Sequence, residues 1–165
     1  MGKRGIEILG LDVNELLTEL NKAFADEWLA HYMYWLGAKV AMGPMKGEVI
    51  TELTEHAADE LRHAEMLADR IVELGGIPVV EPKLWYEMTN CGYDAPSDPF
   101  VRKLVEQNIE AERCAIDVYD KLVKMVEGKD RKTFNILQEI LEDEIEHEDD
   151  LEALIEDMDL LKKNQ

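Results

Sequence analysis

Two Glu-x-x-His sequences, Glu60-Leu61-Arg62-His63 and Glu144-Ile145-Glu146-His147, carry the most promising chemistry in this chain. Residues three apart share one face of an α-helix, so each sequence presents a carboxylate and an imidazole to one point. Such a pair is a donor set for a transition metal, and two pairs suggest two metals. Spacing alone does not decide the matter. The chain has four His but abundant Glu, so chance pairing is a competing explanation. The deciding question is whether both pairs keep register with the buried faces of their helices.

Gly and Pro punctuate the chain into four long helices. The first begins near Asp12, an N-cap with Glu15 three residues on, and ends before Met42-Gly43-Pro44. The second runs from about Gly47 to Leu74 and stops at Gly75-Gly76. The third has Asp98 as its expected N-cap and Pro99 at its first position, and ends at Gly128. The fourth starts near Asp130 and fades into Leu161-Lys162-Lys163. Short turns make each consecutive pair an antiparallel hairpin. A crossover containing Pro78, Pro82 and Pro96 separates the hairpins and is long enough to span a helix, which sets the second and third helices parallel. Its Ile77, Val79, Val80, Leu84, Trp85 and Tyr86 are expected to pack along the outside. The fold class is all-α: a four-helix bundle of two hairpins joined by a long crossover, in a single domain over residues 1–165.

The register condition is met. In the second helix Glu60 stands seven residues from both Leu53 and Leu67, inside the apolar stripe. In the fourth, Glu144 stands seven residues from both Leu137 and Leu151. An isolated ionised carboxylate in a core costs several kcal/mol unless it is paired or metal-bound, so these residues need partners. The other helices supply them. Glu27 lies among Leu20, Ala23, Phe24 and Tyr34, and Glu112 among Val105, Ile109, Ile116 and Tyr119. Each lone glutamate precedes a tyrosine by seven residues, and the separations 27 to 60 and 112 to 144 nearly match. Two similar hairpins related by a pseudo-twofold axis would bring four carboxylates and two imidazoles together. Solvated charges have no reason to keep such register.

Composition narrows the function. A net charge of −19 argues against nucleic acid, whose phosphates it would repel, and Lys3 and Arg4 are a weak basic tail. The same charge concentrates cations, or serves solubility alone. No apolar run approaches the ~20 residues of a membrane span, and Ile6 to Leu9 is too short for a secretory signal. The cytoplasm is the expected compartment.

The paired Glu-x-x-His sequences with Glu27 and Glu112 resemble those of the ferritin-like di-metal carboxylate proteins, the ligand set associated with that bundle. The resemblance covers essentially all four helices. Asp59-Glu60-Leu61-Arg62-His63-Ala64 through Gly75-Gly76-Ile77-Pro78 is similar to bacterioferritin, and Cys91 with Glu110-Ala111-Glu112-Arg113-Cys114-Ala115 is similar to the Dps-like thioferritins. The resemblance implies that Glu60 and Glu144 bridge two metals, with Glu27 and His63 completing one position and Glu112 and His147 the other. Two iron ions per subunit are implied, and manganese or zinc suits the same donors. It further implies ferroxidase activity toward Fe(II) with H2O2 or O2, iron storage in a homo-oligomeric cage and protection against oxidative stress. Leu61 occupies the position where bacterioferritin carries its haem-ligating methionine, so no haem is expected. Few residues follow the fourth helix, which favours a 12-subunit cage over 24. A rubrerythrin-like peroxidase without storage is the alternative, disfavoured by the lack of a four-cysteine module after the bundle. An inert DNA-compacting bundle is disfavoured by charge and by the buried ligands.

Within this reading Tyr34 and Tyr119 are core aromatics with a hydrogen-bonded hydroxyl, or electron donors beside the metals, Tyr34 being the better match. His31 and His56 share the ligand face; satisfied core histidines are favoured over extra ligands. Cys114 stands two residues past Glu112, ~200° around the helix, and so points away from the ligands toward the crossover that carries Cys91. The two cysteines are expected to meet beside the site, where they can form a disulfide linking the crossover to the third helix, redox-active rather than structural in a reducing compartment unless the source is a hyperthermophile. The other reading is two separate small hydrophobes.

Overall fold

The computed structural model describes residues 3–163. A short helix α1 (Lys3–Glu7) precedes α2 (Val13–Val40), α3 (Lys46–Leu74), α4 (Trp85–Met88), α5 (Val101–Val126) and α6 (Arg131–Lys163). The four long helices are α2, α3, α5 and α6. No helix among the described residues is long and apolar enough to cross a membrane.

The helix ends follow local chemistry. Asp12 caps α2 by accepting from the Asn14 amide at 2.8 Å. Gly75 ends α3 at φ 93°, a left-handed conformation that favours glycine. Gly76 then lies so close to Leu17 that a Cβ would meet it at 2.5 Å. The start of α5 differs from expectation. Asp98 accepts from the Phe100 amide at 3.0 Å in a turn before the helix, and the N-cap is Phe100. The backbone there is committed elsewhere: Met42 N–H donates to the Pro99 carbonyl and Val101 N–H to the Met42 carbonyl, tying the end of α2 to the start of α5.

The crossover over residues 75–100 is more structured than its prolines suggested, with a 3₁₀ turn at Pro82–Leu84 leading into α4. Trp85 stacks on Trp28 of α2 with centroids 5.3 Å apart. The Asp26 carboxylate accepts from the Thr89 hydroxyl and from the Asn90 and Cys91 amides. Ile77, Val80 and Tyr86 stand exposed rather than packed, because a strap over a bundle turns only part of its side chains inward.

Two apolar clusters fill the bundle. One joins Leu16 and Leu20 of α2 to Leu67 and Ile71 of α3, Leu122 of α5, and Leu137 and Ile140 of α6. The other joins Ala38, Leu53, Leu104 and Leu151. The first therefore joins the C-terminal halves of α3 and α5, and the second their N-terminal halves, as parallel helices require. Between the clusters lies a polar layer from all four helices. Arg70 locks the far end of α3 to the start of α6: Nη2 donates to Asp130 Oδ2 and Nε to Thr133 Oγ1, each at 2.7 Å. Asp130 also caps α6 through the Lys132 and Thr133 amides.

Candidate metal centre

The polar layer consists of Glu27, Glu60, His63, Glu112, Glu144 and His147, each at most 4% exposed. His63 Nδ1 lies 3.3 Å from Glu27 Oε2, 3.7 Å from Glu60 Oε2 and 3.1 Å from Glu144 Oε1. His147 Nδ1 lies 3.6 Å from Glu60 Oε1 and 3.7 Å from Glu144 Oε2. Glu60 and Glu144 thus each turn one oxygen toward each imidazole. Glu27 joins the His63 group and Glu112 the His147 group, and within each group the donor atoms lie within 4.8 Å of one another. Glu27 Oε2, Glu60 Oε1, Glu144 Oε1 and both Nδ1 atoms are buried without a hydrogen-bond partner. Buried orphan donors pointing at two common points fit a pair of metal ions, because leaving them unmatched costs about 1–3 kcal/mol each or more.

The electrostatics without metal record the crowding. Burial, then the charge of Glu60, pushes Glu27 well above the usual carboxylate range. Burial, then Glu144 and Glu60, does the same to Glu112. Burial also acts to raise Glu60, but contacts with His147 and His63 outweigh it and hold that carboxylate below its usual range. Burial opposes charge on the imidazoles, yet the surrounding glutamates win: His63 is raised well above its ordinary value and His147 to about 10.

Around the candidate ligands the pseudo-twofold relation continues. The Tyr34 hydroxyl donates to Glu112 Oε1 and the Tyr119 hydroxyl to Glu27 Oε1. Each tyrosine therefore serves the glutamate of the opposite hairpin, not the one on its own helix. Sequence reasoning missed Asp59 and Asp143. Asp143 Oδ2 lies 3.0 Å from His63 Nε2, and Asp59 Oδ2 lies 3.6 Å from His147 Nε2. Both stand just before a candidate ligand, Glu60 or Glu144, so the full pattern is Asp-Glu-x-x-His, a signal visible in the chain. Arg62 bridges the two aspartates at 3.1 and 2.6 Å. His31 is satisfied by the Ala57 carbonyl at 2.6 Å. His56 stacks on His147 with centroids 4.0 Å apart, and burial followed by His147 lowers it to about 4. Cys91 and Cys114 are joined in a disulfide with Cα atoms 5.8 Å apart. A cavity of about 170 Å³ is lined by both cysteines and by Glu27, Glu60, Glu112 and Glu144.

The ferritin-like domain family matches residues 17–161. The chain belongs to the ferritin-like family. Its bundle is the ferritin-like fold: it superposes on a solved dodecameric thioferritin, a bacterioferritin-related protein from Bacteroides fragilis, with a TM-score of 0.97 and 43% identity. That match covers 99% of this chain and 98% of the other. Among curated proteins, a DNA protection during starvation protein of Pyrococcus furiosus is 38% identical, covering 93% of this chain and 83% of the relative. A bacterioferritin of Mycolicibacterium paratuberculosis is 30% identical, covering 89% and 87%. This ferritin-like chain is thus similar to both branches that its sequence resembles.

Proposed function

We propose that this chain is a cytoplasmic ferroxidase that oxidises Fe(II) with H2O2 or O2 and stores the product in a homo-oligomeric cage. The observation that carries the reading is the split of the Glu60 and Glu144 oxygens between His63 and His147, which is the arrangement of a bridged pair. Glu60 and Glu144 would bridge, Glu27 and His63 complete one position, and Glu112 and His147 the other. Two iron ions held there supply two electrons together, which avoids one-electron oxygen products.

The protein's own residues set the geometry. Tyr119 occupies Glu27 Oε1, leaving Oε2 free to bind, and Tyr34 holds Glu112 in the same way. Asp143 accepts a hydrogen bond from His63 Nε2–H, so the nitrogen left to bind a metal, once its own proton is displaced, is the inward-facing Nδ1. Four carboxylates offset the charge of two divalent ions, so the loaded core is nearly neutral. Cys91 and Cys114 bind the crossover as one wall of the cavity beside the ligands, where a dithiol–disulfide pair is placed to exchange electrons with it. The name of the Pyrococcus relative speaks of DNA protection. At a net charge of −19 we assign any protection to removal of iron and oxidant, without contact with phosphate.

Replacing Glu60 and Glu144 together by Ala tests the site. Stopped-flow oxidation of anaerobically loaded Fe(II) is expected to lose its fast phase, and a retained fast phase refutes the assignment. Size-exclusion mass tests the cage: twelve copies of the 18.9 kDa chain are expected, whereas a dimer supports the peroxidase reading.

A further inference from the structure

We propose that Glu52, His56 and Asp150 form a third cation site, mononuclear and separate from the paired centre, for a divalent transition-metal ion. His56 is 2% exposed, and neither ring nitrogen has a hydrogen-bond partner. A buried imidazole with both nitrogens idle is costly, and this one is aimed at carboxylates. Its Nε2 lies 3.2 Å from Glu52 Oε1 and 4.0 Å from Asp150 Oδ2, with no hydrogen-bond alignment to either. Metal–donor bonds of about 2.0–2.2 Å place donor atoms roughly 3–4 Å apart, and both distances fall in that window. The spacing within the paired centre, 3.1–3.7 Å around the two Nδ1 atoms, is of the same kind.

The helices bring the donors together. Glu52 and His56 stand one turn apart on α3, and Asp150 reaches across from α6. The carboxylate side chains are 25% and 46% exposed, so the site is open on one side and an ion there keeps water ligands. Mixed nitrogen and oxygen donors favour Fe(II), Mn(II) or Zn(II) over Ca(II) or Mg(II). Its position gives it a role. The His56 ring stacks directly on His147, and His56 also lies within ligand distance of Glu112 and His147. The disulfide-bordered cavity is lined mainly from α2, the crossover and α5 and meets α3 and α6 only at Glu60 and Glu144, whereas this site is built from Glu52, His56 and Asp150 of α3 and α6, none of which lines that cavity. It is a waypoint at which iron passes between the paired centre and the α3–α6 surface, a role that rests on the ferroxidase reading although the site itself does not.

Anomalous diffraction at the zinc edge from crystals of the full chain soaked in saturating ZnCl2 tests this. The expected result is a peak within bonding distance of His56 Nε2 in addition to two in the paired centre. The Glu52→Gln/Asp150→Asn variant is expected to lose only the third peak, and to oxidise iron added after the first two per subunit several-fold more slowly relative to the first two. A filled paired centre with nothing at His56 overturns the site, as does a third peak that survives in the variant. A third peak with an empty paired centre upholds the site and overturns the ferroxidase reading; no peak at either overturns both. Unchanged later turnover in a variant that has lost the peak overturns the waypoint role.

Discussion

Replacing Arg70 by Met tests how the two helical hairpins are held in register. Arg70 is 7% exposed and Asp130 4%, and their 2.7 Å ion pair joins the end of α3 to the cap of α6. The Met side chain fills most of the guanidinium stem but leaves the Asp130 carboxylate buried without its counter-charge. Breaking such a pair costs about 3–5 kcal/mol. The Glu73 arm of Arg70, at 3.1 Å and half-exposed, adds at most about 1 kcal/mol. For a chain of this length, about 2–4 °C per kcal/mol gives a melting temperature lower by roughly 6–20 °C.

The assay is thermal and urea unfolding of the metal-free protein by circular dichroism at fixed concentration, because assembly contributes to stability. Arg70→Met with Asp130→Asn removes the stranded charge and keeps a capping side chain, so it is expected to recover a substantial part of the loss. The pH dependence has a definite sign. In the native protein burial acts to raise Asp130, but Thr133 and Arg70 outweigh it and hold the carboxyl below its ordinary value. Its contribution is therefore complete above the unfolded pKa of about 3.9 and lost as pH falls through the lower folded value. The gap between native protein and Arg70→Met is expected to be wide at pH 7 and to close below about pH 4. A melting temperature within about 2 °C of the native one, or a double variant no better than the single, refutes the reasoning.

Other outcomes follow from the same geometry. Asp143→Ala is expected to weaken metal binding at the His63 position by roughly 10–100-fold in calorimetric titration; Asp59→Ala should do less, its contact being 3.6 Å against 3.0 Å. Equal affinities would dispose of the role assigned to Asp143. Glu27, Glu112, His63 and His147 all have raised proton affinity, His147 to about 10, so protons compete with metal for these groups. Anaerobic Zn(II) loading at pH 7 should release protons, those of the imidazoles among them, with affinity rising with pH. A pH-stat trace showing no release contradicts it. Replacing Cys91 and Cys114 by Ser opens a loop with a sequence separation of 23 and should cost about 3 kcal/mol in oxidised protein. The difference should vanish under reductant, and its persistence there would mean that the sulfurs matter through packing.

The chain alone determined the helices, the hairpins, the parallel middle pair and which glutamates lie in the core. Helix formation and amphipathic register are set by residues within a turn or two, so Glu60 between Leu53 and Leu67 could be placed without coordinates. The rotation per residue turned Cys114 toward the crossover that carries Cys91, but left two separate small hydrophobes as the other reading until the structure joined them. What lay beyond reach was pairing across the bundle. Tyr34 with Glu112, Asp143 with His63 and Arg70 with Asp130 join residues more than fifty positions apart. No local preference encodes such contacts; they exist because four helices meet at one angle and depth. The start of α5 was misplaced for the same reason, since Pro99 is held by the backbone of Met42. His56 shows the division most plainly. Its sequence puts it on the ligand face, but only the tertiary structure leaves it without a hydrogen bond, against His147 and facing Glu52 and Asp150.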